Sequence, residues 1–167
     1  YFQSEKIPHM KKLYFAFTLL IMGSCGISRE QAITSQKSSA NELKIMSYNI
    51  HIGNPPSKAG LIDMEAIIKA IKQEDPDLIA LQEVDVNTAR SGKINQADII
   101  ARKLGMNFFF AKAIDHDGGD YGVALLSKFP ISETKIHRLT TVVGSGGEPR
   151  VIATARILLK NGKYIRL

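Results

Sequence analysis

The 167-residue sequence holds no tryptophan and a single cysteine, Cys25. One thiol cannot close an internal disulfide, so a small stapled scaffold is excluded. No apolar run approaches the ~20 residues that a membrane-spanning helix needs. No segment recurs at a fixed period, which excludes a repeat array. The absence of a Gly-x-Ser-x-Gly turn argues against a serine hydrolase. Gly144-Ser145-Gly146-Gly147 lacks the Lys-Ser/Thr of a phosphate-binding P-loop and reads as a flexible loop. Asp115-His116-Asp117-Gly118-Gly119-Asp120 has the composition of a calcium loop, but Leu126 stands where such a loop needs its final Glu, so it reads as a turn. What remains is an ordinary folding composition, 44% hydrophobic and 23% charged, enough for one domain with a real core.

The formal net charge of +6 is spread thinly. Residues 1–40 hold five Lys/Arg against two Asp/Glu, and residues 41–167 hold 17 against 14. Half of the excess therefore lies outside the candidate fold. So small a surplus, without interleaved aromatic and basic residues, gives little support for a nucleic-acid-binding module.

Tyr1-Phe2-Gln3-Ser4 resembles the end of a protease-cleavage tag, so residues 1–9 are expected to be a tag remnant, with the natural start at Met10. Lys11-Lys12, an apolar stretch over 13–22 and Gly23-Ser24-Cys25 then follow the pattern of a secretory signal. The apolar stretch reaches only ~15 Å as a helix, half of a bilayer core. Gly23-Ser24-Cys25 resembles a bacterial lipobox, with Met22 in place of the usual Leu. The expectation is a lipoprotein-like signal over 10–25, a lipid on Cys25 and an extracytoplasmic location, periplasmic or on the cell surface. A signal cleaved nearby with Cys25 incidental is the alternative. Residues 26–42, rich in Ser, Gln and Thr, suit a flexible linker.

From residue 43 the pattern alternates strand and helix. Residues 43–50 read as a strand. Asp63 is placed to cap a helix with Ile67, Ile68, Ala70 and Ile71 on its apolar face, and Asp75-Pro76 stops it. Residues 77–84 hold Leu-Ile-Ala-Leu as a continuous apolar run and predict a strand buried on both faces, completing a βαβ-like unit. A second helix is predicted over 96–104, ended by Gly105. Strands are predicted over 106–111, 123–127, 133–137, 151–159 and 164–167, the last two joined by Asn161-Gly162. Helices early and hairpins late predict an α/β (α+β) fold with a mixed or antiparallel sheet. Leu167 falls inside the last strand and leaves an open sheet edge, so the expectation is a fragment of a longer domain.

Glu83 is the most informative residue, because it ends a buried strand. Ligands gather at such ends, and a carboxylate there must be hydrated, paired or metal-bound. Taken alone it is also consistent with a surface carboxylate. Asn49 ends the first strand in the same way, as a metal or phosphate contact or as a turn former. Arg90 is either a bidentate phosphate contact or a solvated loop cation.

Four segments of the sequence form one pattern. Leu43-Lys44-Ile45-Met46-Ser47-Tyr48-Asn49 and Asp77-Leu78-Ile79-Ala80-Leu81-Gln82-Glu83-Val84 resemble the first two signatures of the endonuclease/exonuclease/phosphatase family. Tyr121-Gly122-Val123-Ala124-Leu125-Leu126-Ser127-Lys128-Phe129-Pro130-Ile131 is similar to its central strand, and Glu148-Pro149-Arg150-Val151 to the segment before its later strands. The resemblance covers residues 43–167. It implies part of a four-layer α/β sandwich of the DNase I type and a metal-dependent phosphoester hydrolase. By that resemblance Glu83 is the metal ligand, for Mg²⁺ or Mn²⁺, and Asn49 a contact to metal, water or phosphate. Tyr121 and Arg150 lie near the mouth of the site as substrate contacts, and His51 stands where some relatives carry an acid.

The same resemblance implies that the later Asp/Asn and Asp-His motifs are missing, since His9, His51, His116 and His137 stand in no such context. A chain without a general base is expected to be nearly inactive alone. Half a sandwich is also expected to bare an apolar face that calls for its other half, a swapped partner or an oligomer. The alternative function is a non-catalytic binding or scaffold module that retains the fold.

Overall fold

In the computed structural model, residues 42–141, 144 and 146–167 are described. The signal-like segment with Cys25, and all of the linker but Glu42, lie outside them. The described residues begin with β1 (Ile45–Asn49), cross through α1 (Met64–Glu74) and return as β2 (Leu78–Val86), parallel to β1. Asp63 caps α1 by accepting a hydrogen bond from the Ala66 amide, and Asp75 ends it in a left-handed conformation ahead of Pro76. Ile67, Ile68 and Ile71 are buried, and Ala70 is half-buried. Asn95 caps α2 (Gln96–Leu104) at the Asp98 amide, and Gly105 closes it.

β3 (Asn107–His116) and β4 (Gly119–Ser127) complete a mixed sheet in the order β1-β2-β4-β3. β5 (Ile131–Arg138), β6 (Val151–Leu158) and β7 (Tyr164–Arg166) form a second, antiparallel sheet. Asn161-Gly162 lies in the β6–β7 turn, where the Gly162 amide donates to the Leu159 carbonyl at 3.0 Å.

Strand alternation divides the core in two. Ile79, Leu81, Ala124 and Leu126 pack with the isoleucines of α1 and with Ile100 of α2. Leu78, Leu125 and Phe129 turn the other way, onto Ala155 and Ile157 of β6. Each fully buried aliphatic chain contributes roughly 1.5–3 kcal/mol. The described residues thus stack as helices, sheet and sheet, the mixed α+β arrangement the sequence predicts. The expectation of a bare apolar face is not met on the first sheet, because β5, β6 and β7 already cover it. The far side of β5–β7 is mixed: Glu133 pairs with Arg156 and Arg166, and the Arg156 guanidinium lies 3.7 Å from the ring centroid of Tyr164, which like Ile152 is exposed.

Two predicted strands, 106–111 and 123–127, are too short. The segment Asp115–Asp120 is a hairpin rather than a turn ahead of a strand, since β3 continues to His116 and β4 begins at Gly119. Asp117 and Gly118 both take positive φ, the geometry of a tight two-residue connection.

β4 runs between two irregular neighbours. Register shifts fall between Leu81 and Val84 of β2 and between Lys112 and Ile114 of β3, and Gly122 faces both. A Cβ at Gly122 would sit 2.1 Å from the Ala111 carbonyl oxygen, so only glycine fits. Gly122→Ala should lower unfolding stability by about 3 kcal/mol or more, measured as a reduced urea midpoint. An unchanged midpoint would contradict the close approach.

Candidate active site

The β2 irregularity creates the site. Leu81 pairs with Ala124 and Val84 with Gly122, so Gln82 and Glu83 together oppose Val123 alone. This is a β-bulge. Strict alternation would send Glu83 to the helix side with Ile79 and Leu81. The extra residue gives that place to Val84, which is fully buried there, and frees the carboxylate. Glu83 adopts φ +55°, a left-handed conformation costing a non-glycine residue roughly 1–3 kcal/mol.

Asn49 ends the neighbouring strand and pairs with Gln82. Its Nδ2 donates to Glu83 Oε1 at 2.6 Å, and its Oδ1 accepts from the His51 amide at 2.8 Å. Both ends of the amide are thereby used. Asn49, expected from the sequence to contact metal, water or phosphate, lies beside Glu83 and holds its carboxylate. His51 Nδ1 lies 2.8 Å from the Asn54 carbonyl. A carbonyl only accepts, so Nδ1 carries the proton and Nε2 is the acceptor of the neutral ring.

Glu83 opens into a polar cleft of about 170 Å³. His51 and Ile52 form one side of its lining, with Arg90, His116, Tyr121 and Glu148 around the rest. A larger hollow of about 400 Å³ runs along the outer flank of α1 beside Glu65, Lys69 and Lys72, away from these groups. Burial first, then the charges of Glu83 and Glu148, push the Tyr121 phenol above its ordinary value, with Arg90 and Arg150 opposing. The phenol is therefore protonated at neutral pH and available as a donor. Arg150 is not part of the cleft lining, but it is near enough to Tyr121 for its charge to act on the phenol.

Arg90 corrects its predicted role. Its Nε and Nη2 donate to Asp85 Oδ2 and Oδ1, both at 2.8 Å, so the bidentate contact expected for a phosphate is made to a buried carboxylate. Asp85 also accepts from the Thr88 hydroxyl, and the Arg90 guanidinium lies 5.3 Å from the Tyr121 ring centroid. Burial alone would push the Asp85 carboxyl up, but the Arg90 and Thr88 hydrogen bonds and the Arg90 charge outweigh it and hold it low.

Three cleft-associated residues escape the sequence reading. His116 sits in a segment that looks like a turn, yet its ring lies 6.3 Å from that of Tyr121. Glu148 is visible only as part of a motif. Asp85 is hidden in the apolar pattern two residues past Glu83. The Asp117-Gly118 dipeptide, a strong hairpin signal, could have placed His116 on a strand.

Among the described residues, no three His, Cys, Asp or Glu side chains cluster as a metal cage. The donors at hand are Glu83, with Oε2 outside its bond to Asn49, and on the same lining Glu148 and His51. Such a set suits a hard cation that keeps most of its waters and shares the rest of its shell with a phosphate, as Mg²⁺ does.

Two packed sheets with a strained glutamate above a polar cleft define a DNase I-like fold. The chain belongs to the endonuclease/exonuclease/phosphatase family, whose model matches residues 46–162, and the family acts on phosphoester bonds. It is similar in structure to an endonuclease/exonuclease/phosphatase from Beutenbergia cavernae, with TM-score 0.60 and 21% identity over 74% of this chain and 36% of that one. It is also similar to a mannosyl-6-phosphatase from Bacteroides thetaiotaomicron, with TM-score 0.56 and 18% identity over 75% of this chain and 49% of the other. For a family protein from Leptotrichia buccalis the TM-score is 0.53 and the identity 19%, over 75% and 52%. The chain spans about half or less of the length of these structures. No curated protein sequence matches it.

Arg90→Ala strands the fully buried Asp85 and should cost roughly 3–5 kcal/mol, seen as a lowered melting temperature. Because Asp85 is held below its ordinary value of 3.8, its contribution is complete above that pH and is lost as the pH falls through the lower folded value. Asp85→Asn should therefore flatten the acid limb of the stability profile, and an equally steep limb would contradict this assignment.

Proposed function

We propose that this chain is the part of a divalent-metal-dependent phosphoester hydrolase that carries the metal-holding glutamate. The observation that carries the reading is Glu83, kept in a strained left-handed conformation and gripped by Asn49 at the mouth of a polar cleft. Glu83 would hold Mg²⁺ or Mn²⁺, and the ion when bound supplies positive charge to the phosphoryl oxygens. The Tyr121 hydroxyl and the Arg150 guanidinium are the groups offered to the phosphate. Arg90, committed to Asp85, braces the Tyr121 ring. Family membership supports hydrolysis of a phosphate ester. The segment 10–25 is the support for an extracytoplasmic, lipid-anchored placement through Cys25, and fatty-acid labelling lost in Cys25→Ser would test it.

A non-catalytic scaffold gains nothing from a strained acid at this point, and two substitutions separate the readings. Glu83→Gly matches the backbone conformation and should leave stability unchanged or raise it by up to ~1 kcal/mol. Glu83→Gln keeps the shape and removes the charge. Both should weaken Mn²⁺ binding, measured by calorimetry, by more than the ~10–100-fold that outer-shell changes cost. Binding equal to wild type would remove the enzyme reading; a marked loss of stability in Glu83→Gly would make the residue structural.

A further inference from the structure

Gln96 begins α2 and is fully buried, yet neither end of its side chain serves the helix. Its Oε1 accepts from the Asp85 amide at 2.9 Å, and its Nε2 donates to the Ile52 carbonyl at 2.6 Å. Asp85 lies two residues beyond Glu83, and Ile52 three residues beyond Asn49. Ile52, a β-branched residue, has φ +51°, and His51 before it φ +46°, so this turn is as strained as the bulge. Gly53 admits the amide: a Cβ there would stand 3.1 Å from Gln96 Nε2.

These contacts close a ring. Gln96 holds Ile52; the adjoining His51 amide holds Asn49 Oδ1; Asn49 Nδ2 holds Glu83; and two residues along β2 the Asp85 amide returns to Gln96. Two strained segments more than thirty residues apart in sequence thus share one buried amide. Satisfying two backbone groups would need only polar partners. That one side chain joins the two segments bearing the site's facing side chains points to alignment.

We infer that Gln96 is a positioning residue that sets the Asn49–Glu83 pair for cation binding by tying the turn after β1 to the strand beyond the bulge. The inference rests on the reading of Glu83 as the cation-holding carboxylate.

The test compares Mn²⁺ affinity and melting temperature for wild type, Gln96→Met and Ile100→Ala. Ile100→Ala thins the packing of the same helix and breaks no hydrogen bond of the ring. Both variants should melt lower. At a temperature where all are folded, Gln96→Met should bind Mn²⁺ ~10–100-fold more weakly, the range for outer-shell partners, and Ile100→Ala as wild type does. Equal affinity in folded Gln96→Met, or equal loss in both variants, overturns the inference. Should Gln96→Met not fold, Gln96→Glu keeps the acceptor for Asp85 and loses the donor to Ile52; undiminished affinity there overturns it as well. If wild type itself binds no Mn²⁺, the reading of Glu83 fails. The side-chain amide proton resonance of Asn49 then decides: a move toward the free-amide position in the Gln96 variant supports the ring, and an unmoved signal overturns it.

Discussion

The site depends on one extra residue in β2. A strand with strict alternation cannot bury Leu81 and Val84 on the same face, and the bulge at Gln82-Glu83 lets it do so. The core gains a fully buried valine, and the carboxylate that would have entered the core is delivered to its edge. The cost is a glutamate in backbone space that favours glycine. That cost is offset by neighbours rather than by Glu83 itself: Gly122 lets the strands approach, Asn49 meets the displaced carboxylate, and Gln96 receives the next free amide. Strain that persists only because its surroundings fix it is characteristic of functional positions.

Below the cleft lies a second arrangement with different physics. The Asp85–Arg90 pair is weak evidence for stability, because desolvating two charges consumes much of their attraction. Its value is geometric. A planar guanidinium locked by two parallel hydrogen bonds is a fixed surface, and it lies against Tyr121. Tyr121 therefore presents its hydroxyl from a braced ring. Thr88 and Ser91 complete the network, so the turn after β2 is tied to the strand that it leaves.

Much of this was written in local sequence signals. Asp63, Asn95 and Gly105 act as caps because capping is short-range chemistry, and the apolar runs of β1 and β2 carry their own periodicity. The family motifs placed Glu83, Asn49, Tyr121 and Arg150 in one neighbourhood. The bulge was not legible, since Gln82-Glu83 reads as the polar end of an apolar run rather than as an extra residue in a strand that continues to Val86. Nor was the partner of Arg90: Asp85 looks like any acid after a strand until the fold buries it. The cover on the first sheet was missed because the packing of Ala155 and Ile157 onto Leu78 is set by long-range contacts, not by local pattern.

Charge in the cleft adds a constraint that bears on its ligand. Glu83, Glu148 and Asp85 bring three negative charges to the groups around Tyr121, and Arg90 and Arg150 bring two positive ones. With neutral histidines the balance is one negative charge, and a phosphate ester would meet net repulsion in a site partly shielded from solvent. A divalent cation on Glu83 reverses that sign to one positive charge. On this balance each further acid would return the site to neutrality or below and weaken its hold on a phosphate. The arginine paired with Asp85 adds little attraction, since its charge is already matched where it lies. On the proposed function, a hydrated cation at the bulge would supply the attraction that an anionic substrate needs.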